Sequence, residues 1–324
     1  MTDITGRQAR AIDPLRITFV RESRSLWRDS WRRLLRNRAA AFALAVIVIF
    51  GLMAVVGPFI TPYSYEKQNL DHITESPSWD YVMGTDQLGR DLFSRLIYGS
   101  RVSFAVAIGA EIVIIGIGVP LGLISGYFGG RVDTLITRVI DILYAFPNLL
   151  LTILIISYLR ANLSAAVDEG SSLWLWKQLD KSSGGLIAVF IVMALTYWIG
   201  VARLVRGQVL SLKEKEFIEA ARGIGLPASR ILRVHLFPNI LAPVIVAAAF
   251  GIPGAIMLEA GLSYLGLGIQ PPLPSWGGMI AEGLPVMRSY PHLIVFPALA
   301  LSILLLAFTY LGDGLRDALD PLMK

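Results

Sequence analysis

The residue types that most often carry out chemistry are scarce in this sequence and lie far apart. The chain of 324 residues contains no cysteine, which excludes disulfides, thiolate metal sites, iron–sulfur clusters and cysteine nucleophiles. Its three histidines are His72, His235 and His292, and no two of them have the spacing of a metal-ligand pair. No segment groups histidine with aspartate as a hydrolytic site does. The sequence therefore gives little support to an enzyme or a metalloprotein.

A phosphate-binding loop that would hold ATP is also missing. Gly84 and Gly89 have the spacing of half a P-loop, but the Lys-Ser or Lys-Thr pair that must follow is absent. None of the six lysines follows a glycine. We therefore expect this chain to bind no cofactor.

Three acidic residues stand in or beside long apolar runs, where a charge is costly and usually faces protein or a water-filled path. Glu111 and Glu259 lie within or at the end of such runs, and Asp141 precedes one that contains Pro147. All four are candidate pore or gating residues, since Pro147 is expected to kink its helix. The alternative is structural, with inter-subunit hydrogen bonds or a carboxyl group near the interface, and Glu111 fits this alternative better.

The segment 211–238 combines charged residues with a regular helical pattern. Lys213–Arg222 is predicted as a helix, and its apolar side chains fall roughly on one face: Phe217, Ala220, Ala221 and Ile224. Gly225 suits the left-handed position that ends a helix, Pro227 can start a second helix, and Pro238 precedes the next apolar run. Such a bent helical pair either docks a partner or packs on its own bundle.

Six long apolar segments must position these residues. Hydrophobic residues make up 55% of the chain and charged residues only 16%, too few to cover the surface of a soluble protein of this length. The runs are Ala39–Ile60, Val102–Gly130, Ile142–Leu159, Ser182–Ala202, Val234–Leu258 and Ser289–Gly312. Each is continuous and long enough, or nearly so, to cross a bilayer as a helix. The predicted fold is an all-α integral membrane protein with six transmembrane helices.

The distribution of lysine and arginine predicts the orientation. The six helices are predicted over 39–60, 102–125, 134–159, 185–206, 239–267 and 291–312, and the first is expected to remain rather than be cleaved as a signal. The side with the N-terminal arm 1–38 and the C-terminus holds 21 basic residues, against eight on the side of loops 61–100, 160–184 and 269–290. Basic loops stay in the cytoplasm, so both termini are expected there.

The end of the arm has the pattern of a basic amphipathic helix. Its apolar residues fall on one helical face: Leu26, Trp27, Trp31, Leu34 and Leu35. Arginines surround them, so we expect this helix to lie on the anionic lipid of the inner leaflet, although the arginines alone would also set the topology. Nucleic acid is not an expected partner, because the basic patch adjoins a membrane span.

A stripe of glycines marks a close helix contact. Gly118, Gly122, Gly126 and Gly130 recur every four residues, a spacing that lets another helix approach the backbone. We expect an assembly face here rather than a ligand surface.

Several motifs, in chain order, resemble one known family. Glu219-Ala220-Ala221-x3-Gly225, with Pro238 thirteen residues later, resembles the EAA signature of ABC importer permeases, although His235 and Phe237 replace the usual Ile and Leu. Other segments resemble the C-type permease subunit of dipeptide and oligopeptide ABC transporters: Gly84-Thr85-Asp86-x2-Gly89-Arg90-Asp91, Gly126-Tyr127-Phe128-Gly129-Gly130, Ala145-Phe146-Pro147, Ala202–Gly207, Glu259–Gly268, Pro274-Ser275-Trp276-Gly277 and Gly312–Asp317. Loop 160–184 is longer than usual.

The resemblance implies a type I ABC importer fold in the inner membrane of a prokaryote. A second, homologous permease subunit would complete a heterodimeric pore, two cytoplasmic ATPases would use ATP and Mg²⁺, and an extracytoplasmic solute-binding protein would deliver a peptide. The EAA segment of the family is its coupling helix, which implies ATPase contact for Phe217, Glu219, Ala220, Ala221, Gly225 and Pro238. The outer motifs make four residues candidates for docking the binding protein: Asp86, Arg90, Asp91 and Trp276.

Other functions fit the residues less well. An ion-coupled secondary carrier favours internal repeats and ionisable groups at the membrane midplane, and the sequence shows no convincing repeat and few such charges. Import of nickel or another small solute by the same architecture stays open, because the sequence does not identify the solute.

Overall fold

The computed structural model describes residues 26–164 and 172–320 and folds them mainly into helices, with one long connection over 61–91. The helices are α1 (Leu26–Arg36), α2 (Arg38–Ile60), α3 (Leu92–Phe128), α4 (Gly130–Tyr144), α5 (Asn148–Ser164), α6 (Ser172–Ser182), α7 (Leu186–Thr196), α8 (Trp198–Leu212), α9 (Glu216–Gly223), α10 (Ala228–Arg230), α11 (Phe237–Tyr264), α12 (Trp276–Gly283) and α13 (His292–Leu319). The predicted arm before residue 26 and the centre of loop 160–184 lie outside the described residues.

The helices that can cross a membrane agree with the apolar runs of the sequence. Five stretches are long and apolar enough: Arg38–Ile60, Leu92–Phe128, Leu186–Leu212, Ala228–Tyr264 and His292–Leu319. The bent pair α4 and α5 adds a sixth if it forms one span. Backbone in lipid must satisfy its own hydrogen bonds, which a helix does internally. The predicted all-α membrane fold is confirmed.

The third predicted span is broken rather than gently kinked. The axes of α4 and α5 meet at 87° across the break that contains Pro147. Proline has no N–H to donate and disfavours helical backbone in the residue before it. The chain instead closes α4 with a turn in which the Ala145 N–H donates to the Asp141 carbonyl at 3.0 Å. Two helices therefore meet at an elbow where the sequence predicted one helix over 134–159.

Other helices extend beyond the apolar runs that predicted them. α3 begins at Leu92, ten residues before the predicted start of its span, because Asp91 caps it. The Asp91 Oδ2 accepts from the Ser94 N–H at 2.8 Å. The predicted span 185–206 is divided at Tyr197 into α7 and α8. Apolar length indicates how much of a helix lies in lipid, whereas caps decide where the helix begins and ends.

Long α3 and α8 pack along the predicted glycine stripe. Three of its glycines face three valines of α8: Gly118 faces Val201, Gly122 faces Val205 and Gly126 faces Val209. A Cβ on Gly122 would lie 2.6 Å from the Ala202 carbonyl oxygen, so no larger residue fits without moving a helix. Gly130 is not part of this contact, since it starts α4 with φ of +52°.

The first two helices are joined by a capped corner beside the last one. Asn37 follows α1, and its Oδ1 accepts from the N–H groups of Ala39 at 3.1 Å and Ala40 at 3.3 Å. This cap starts α2 without a linker. The buried Leu34 and Ala40 then contact Ala318 near the end of α13. The start of the described chain is therefore fixed to its end.

Candidate functional site

The coupling segment, defined here as residues 211–238, forms a projecting helical corner with a firm base. Four apolar side chains hold it in the main core: Ile218, Ala221, Ile231 and Leu236 are at most 4% exposed. They pack in one cluster with residues of α8 and α11. Burial of such side chains stabilises the fold by roughly 1.5–3 kcal/mol each for the larger ones. The segment is thus a rigid projection rather than a solvated linker.

Gly225 forms the corner between the two helices of the segment. Its φ of +77° is the left-handed conformation that glycine adopts without strain. The Leu226 N–H donates to the Ala221 carbonyl at 3.1 Å, and the Gly225 N–H donates to the Arg222 carbonyl at 2.9 Å. These two bonds form a Schellman motif, which caps the end of α9. The predicted left-handed helix end is confirmed.

The outward face of α9 is apolar and has a charged border. Phe217 is 42% exposed and Ile224 is 77% exposed, and Ala220 lies between them on the surface. Glu219 and Arg222 are also exposed. An exposed apolar patch within a polar border is typical of a protein-binding surface.

The predicted single apolar face of this helix is wrong in one respect. Ala221 points inward together with Ile218 and is 4% exposed, whereas Phe217, Ala220 and Ile224 point outward. α9 therefore has two apolar stripes, because its inner stripe packs on the bundle and its outer stripe is left free. Of the predicted coupling residues, Phe217, Glu219 and Ala220 are accessible to a partner, and Ala221 supports them from within.

Pro238 lies inside a continuous helix and not at a break before one. α10 leads through a π-helical stretch, Ile231–Leu236, directly into α11, with Pro238 in its first turn. The Phe237 N–H donates to the carbonyl of Leu232, five residues back. The wider turn accommodates a residue that has no N–H of its own. The predicted second helix of the segment and the fifth span are one element.

Three polar contacts attach the segment and the end of α8 to α3 and α4. The Arg222 guanidinium lies 5.2 Å from the centroid of the Tyr127 ring at the end of α3. The Lys213 Nζ donates to the Gly126 carbonyl at 3.4 Å. Deeper in α8, Arg206 holds Asp133 of α4 with two bonds of 2.6 and 2.7 Å. Any displacement of α9 therefore acts on α3 and α4 as well as on α11.

At the other end of the bundle, four charged side chains form the outer ion-pair cluster: Asp86, Arg90, Arg95 and Glu282. The Arg90 Nε donates to Asp86 at 2.7 Å, and Arg95 donates to the same carboxylate oxygen. Glu282 accepts from Arg90 at 3.1 Å and from Arg95 at 2.7 Å. The cluster ties the loop before α3 to α12 and lines a pocket of about 480 Å³.

The predicted docking residues are buried in this region and engaged within the chain. Asp86 is 5% exposed, Arg90 7% and Asp91 3%, and Trp276 has no exposed surface. In this structure these four side chains contact their own chain, and their role in docking a binding protein stays a prediction. Glu282, whose side chain is 39% exposed, was not predicted, since it pairs with residues more than 180 positions away.

Trp276 holds the outer end of the bundle together. Its indole Nε1 donates to the Leu96 carbonyl at 3.0 Å, and the ring packs edge-on against Phe50. Gly99 of α3 leaves room for it, since a Cβ there would lie 2.8 Å from the indole. One side chain thus joins α12 to α2 and α3.

Glu259, a predicted pore residue, is buried in a local hydrogen-bond network. It is 1% exposed, and Oε1 accepts from the Ser263 hydroxyl at 2.6 Å. The Ser263 Oγ in turn accepts from the Ile269 N–H at 3.0 Å. This chain of bonds closes the turn that ends α11, and the pore or gating role of Glu259 stays a prediction.

Glu111 is buried in the middle of α3. It is 5% exposed, and in the part of the chain that the structure describes neither carboxylate oxygen has a hydrogen-bond partner. Its side chain faces Gly251 of α11, where a Cβ would lie 2.4 Å from Oε2. The carboxyl group therefore lies at the contact between α3 and α11.

Asp141 and Pro147 lie on an exposed side of the chain. The Asp141 carboxylate accepts from the Arg203 Nη2 at 2.9 Å, and the side chain of Asp141 is 69% exposed. The Arg203 guanidinium also lies 4.4 Å from the Tyr144 ring centroid. Polar groups left exposed along spanning helices have to face protein or water rather than lipid. The α4–α5 elbow is thus a surface that a second subunit or a pore can occupy.

Family models match most of the chain. Residues 118–324 match the model of the binding-protein-dependent transport system inner membrane component. Residues 25–77 match the N-terminal transmembrane domain of oligopeptide transport permease C. The two matches together include the coupling segment and α12.

Curated relatives and a solved structure agree with these matches. An oligopeptide transport system permease protein of Bacillus subtilis is 40% identical over 94% of this chain and 92% of its own length. A dipeptide permease of the same organism is 39% identical over 94% and 88%, and a glutathione permease of Escherichia coli is 37% identical over 98% of both. A chain of the methionine ABC transporter in an inward-facing conformation shares the fold, with a TM-score of 0.53 at 19% identity over 69% of this chain and 96% of its own.

Proposed function

The chain belongs to the inner-membrane components of binding-protein-dependent transport systems, and from this we propose that it is one half of a heterodimeric, ATP-driven pore that imports peptides. As a multi-pass inner-membrane permease it is a transport subunit and not an enzyme. A second permease subunit, two cytoplasmic ATPases and an extracytoplasmic binding protein complete the proposed machine.

The substrate class follows from the relatives. The three relatives named above are permeases for oligopeptides, dipeptides and glutathione. Their solutes share peptide bonds and differ in length. We therefore propose short peptides as the transported class, in preference to nickel or another small solute.

The observation that carries the ATPase partnership is the two-sided α9. Its inner side is fixed by Ile218 and Ala221, and its outer side presents Phe217 and Ile224 beside the exposed Glu219. A short helix with apolar anchors on its free side is a known way to occupy a groove of a partner. The sequence contains no P-loop, so in our proposal the partner that binds here supplies the ATP hydrolysis.

Reversal of one charge on this face tests the proposal. Glu219→Lys is expected to abolish uptake of a labelled peptide and to reduce co-purification of the ATPase subunits, because the exposed carboxylate would be replaced by a cation at the docking surface. The chain should still insert, since Glu219 forms no ion pair among the described residues. Unchanged uptake with unchanged ATPase recovery would show that α9 is not the docking element.

A matched control keeps the charge change but moves it away from α9. Asp80→Lys makes the same charge reversal at an exposed acid in the loop before α3 and is expected to leave uptake and ATPase recovery intact. Reconstitution of the chain without partners provides the test against an ion-coupled carrier. Peptide uptake by the isolated chain under an ion gradient would reject an ATP-driven subunit in favour of that alternative.

A further inference from the structure

The helix α1 has three distinct sides. Leu34 is 2% exposed and packs with Ala40 and Ala318. Beside this buried stripe, Trp31 is 52% exposed and Leu35 is 47% exposed, one helical turn apart. Next around the helix come Arg28, Arg32 and Arg36, which share one stripe because they recur every four residues. A free apolar stripe therefore borders a free cationic stripe.

The charge on α1 is uncompensated. Arg28, Arg32 and Arg36 form no ion pair in the described part of the chain. The nearest acid in sequence, Asp29, is the only acid of the helix. Three guanidinium groups at helical spacing present planar donors that match phosphate oxygens.

The position of α1 places these side chains at a membrane surface. Only Asn37 separates α1 from the membrane-spanning helix α2, and its cap keeps the junction tight. An amphipathic helix at that depth buries its apolar stripe in the acyl–headgroup boundary and keeps its cations at the level of the phosphates. Trp31 is suited to this boundary, which tryptophan favours.

We propose that α1 is a binding site for anionic phospholipid headgroups and that bound lipid holds α1 against the end of α13. Trp31 and Leu35 insert beside the lipid chains, and Arg28, Arg32 and Arg36 bind the headgroup phosphates. Leu34 lies on the buried side of α1 and contacts Ala40 and Ala318. Lipid that fixes α1 therefore also stabilises its contact with α13. Gly314 admits this contact, since a Cβ there would lie 2.3 Å from the Cβ of Ala40.

The test uses the complete transporter in nanodiscs of phosphatidylcholine, alone or mixed with phosphatidylglycerol. The wild type is expected to retain phosphatidylglycerol in native mass spectrometry and to melt at a higher temperature in the mixed discs. Each arginine near an anionic surface strengthens binding by about fivefold, so the triple replacement of Arg28, Arg32 and Arg36 by Gln should lower lipid retention on the order of a hundredfold. The melting temperature of this variant should no longer depend on phosphatidylglycerol.

Two controls separate lipid binding from a general charge effect. A second triple variant replaces exposed arginines elsewhere by Gln: Arg131, Arg138 and Arg288. It should keep the lipid response of the wild type, and inorganic phosphate added to phosphatidylcholine discs should not replace phosphatidylglycerol. Equal lipid retention in wild type and the α1 variant, or rescue by inorganic phosphate, would overturn the proposal.

A further variant tests the same proposal if the triple replacement folds poorly. Trp31→Ser with Leu35→Ser keeps every charge and removes the apolar stripe, so it should weaken phosphatidylglycerol retention while leaving the arginines in place. If the α1 arginines instead contact the ATPases, the triple variant would lose those subunits in both kinds of disc and would keep its bound lipid. That result would also reject the lipid site.

Discussion

Single residues show how far local sequence motifs can be interpreted. Sequence motifs identified three functional candidates on the outer side: Asp86, Arg90 and Trp276. Their burial could not be predicted, because their partners lie far along the chain. Arg90 contacts Glu282 across 192 positions, and Trp276 contacts the Leu96 carbonyl across 180. By contrast, the conformation of Gly225 was predicted, since it depends only on neighbours within one turn.

The outer ion-pair cluster predicts unequal costs for its two acids. Asp86→Ala removes the acceptor that the buried Arg90 and Arg95 share, and loss of one partner of a buried pair costs about 3–5 kcal/mol. Glu282→Gln should cost much less, because this side chain is 39% exposed and water can replace it. Size-exclusion recovery of the purified transporter after heating measures both.

The control for this pair is the exposed Asp80, which forms no ion pair within the described residues. Asp80→Ala should recover like the wild type. Equal losses for Asp86→Ala and Asp80→Ala would mean that the cluster contributes nothing to stability.

The membrane helices were predicted in position and polarity, but their breaks, ends and partners were not. The apolar runs identified the membrane helices, whereas the sharp break at Pro147 and the extension of α3 to Leu92 depend on proline geometry and on the Asp91 cap. The glycine stripe predicted a close contact on α3. It could not show that the contact is with α8, because a helix surface does not encode which neighbour covers it.

The glycine contact makes a prediction about helix packing. Gly122→Val places new atoms within 2.6 Å of the Ala202 carbonyl and 2.7 Å of the Val205 Cβ. The two helices then have to separate, and overpacking of this kind costs roughly 1–3 kcal/mol or more. We expect less folded transporter in the membrane and a lower melting temperature of what is recovered.

Gly116 of the same helix is the matched control, because a Cβ there meets nothing within 4 Å. Gly116→Val changes the same residue type on another face of α3 and should have little effect on yield. If both variants behave alike, the loss would reflect the intrinsic cost of valine in a helix and not the contact with α8.

At the scale of the whole molecule, two independent features of the sequence were informative. Hydropathy predicted the fold class, and the uneven distribution of charge predicted the orientation. Hydropathy identified a helical membrane protein, and the helices of the structure agree with it. The distribution of 21 against eight basic residues predicts which end faces the cytoplasm. The orientation is inferred from the charge distribution alone, because the packing of the helices does not indicate which side of the bilayer is the cytoplasm.

Labelling of single cysteines tests this orientation directly, since the chain has none of its own. Ser229→Cys, exposed in the coupling segment, should react with a membrane-impermeant maleimide only after the cells are opened. Ser76→Cys, exposed in the loop before α3, should react in intact cells. The reverse pattern would invert the topology and with it the assignment of α9 to the cytoplasmic ATPases.

The uninterrupted helix from Ala228 to Tyr264 has a mechanical consequence. Its 37 residues make a rod of about 55 Å, longer than a bilayer is thick, with the Gly225 corner at one tip and the Glu259–Ser263 network near the other. The helix also contains Pro243 and Pro253, two positions at which a helix bends readily. A tilt imposed at the Gly225 tip would therefore move the Glu259 tip in the opposite direction, less whatever bending these prolines take up.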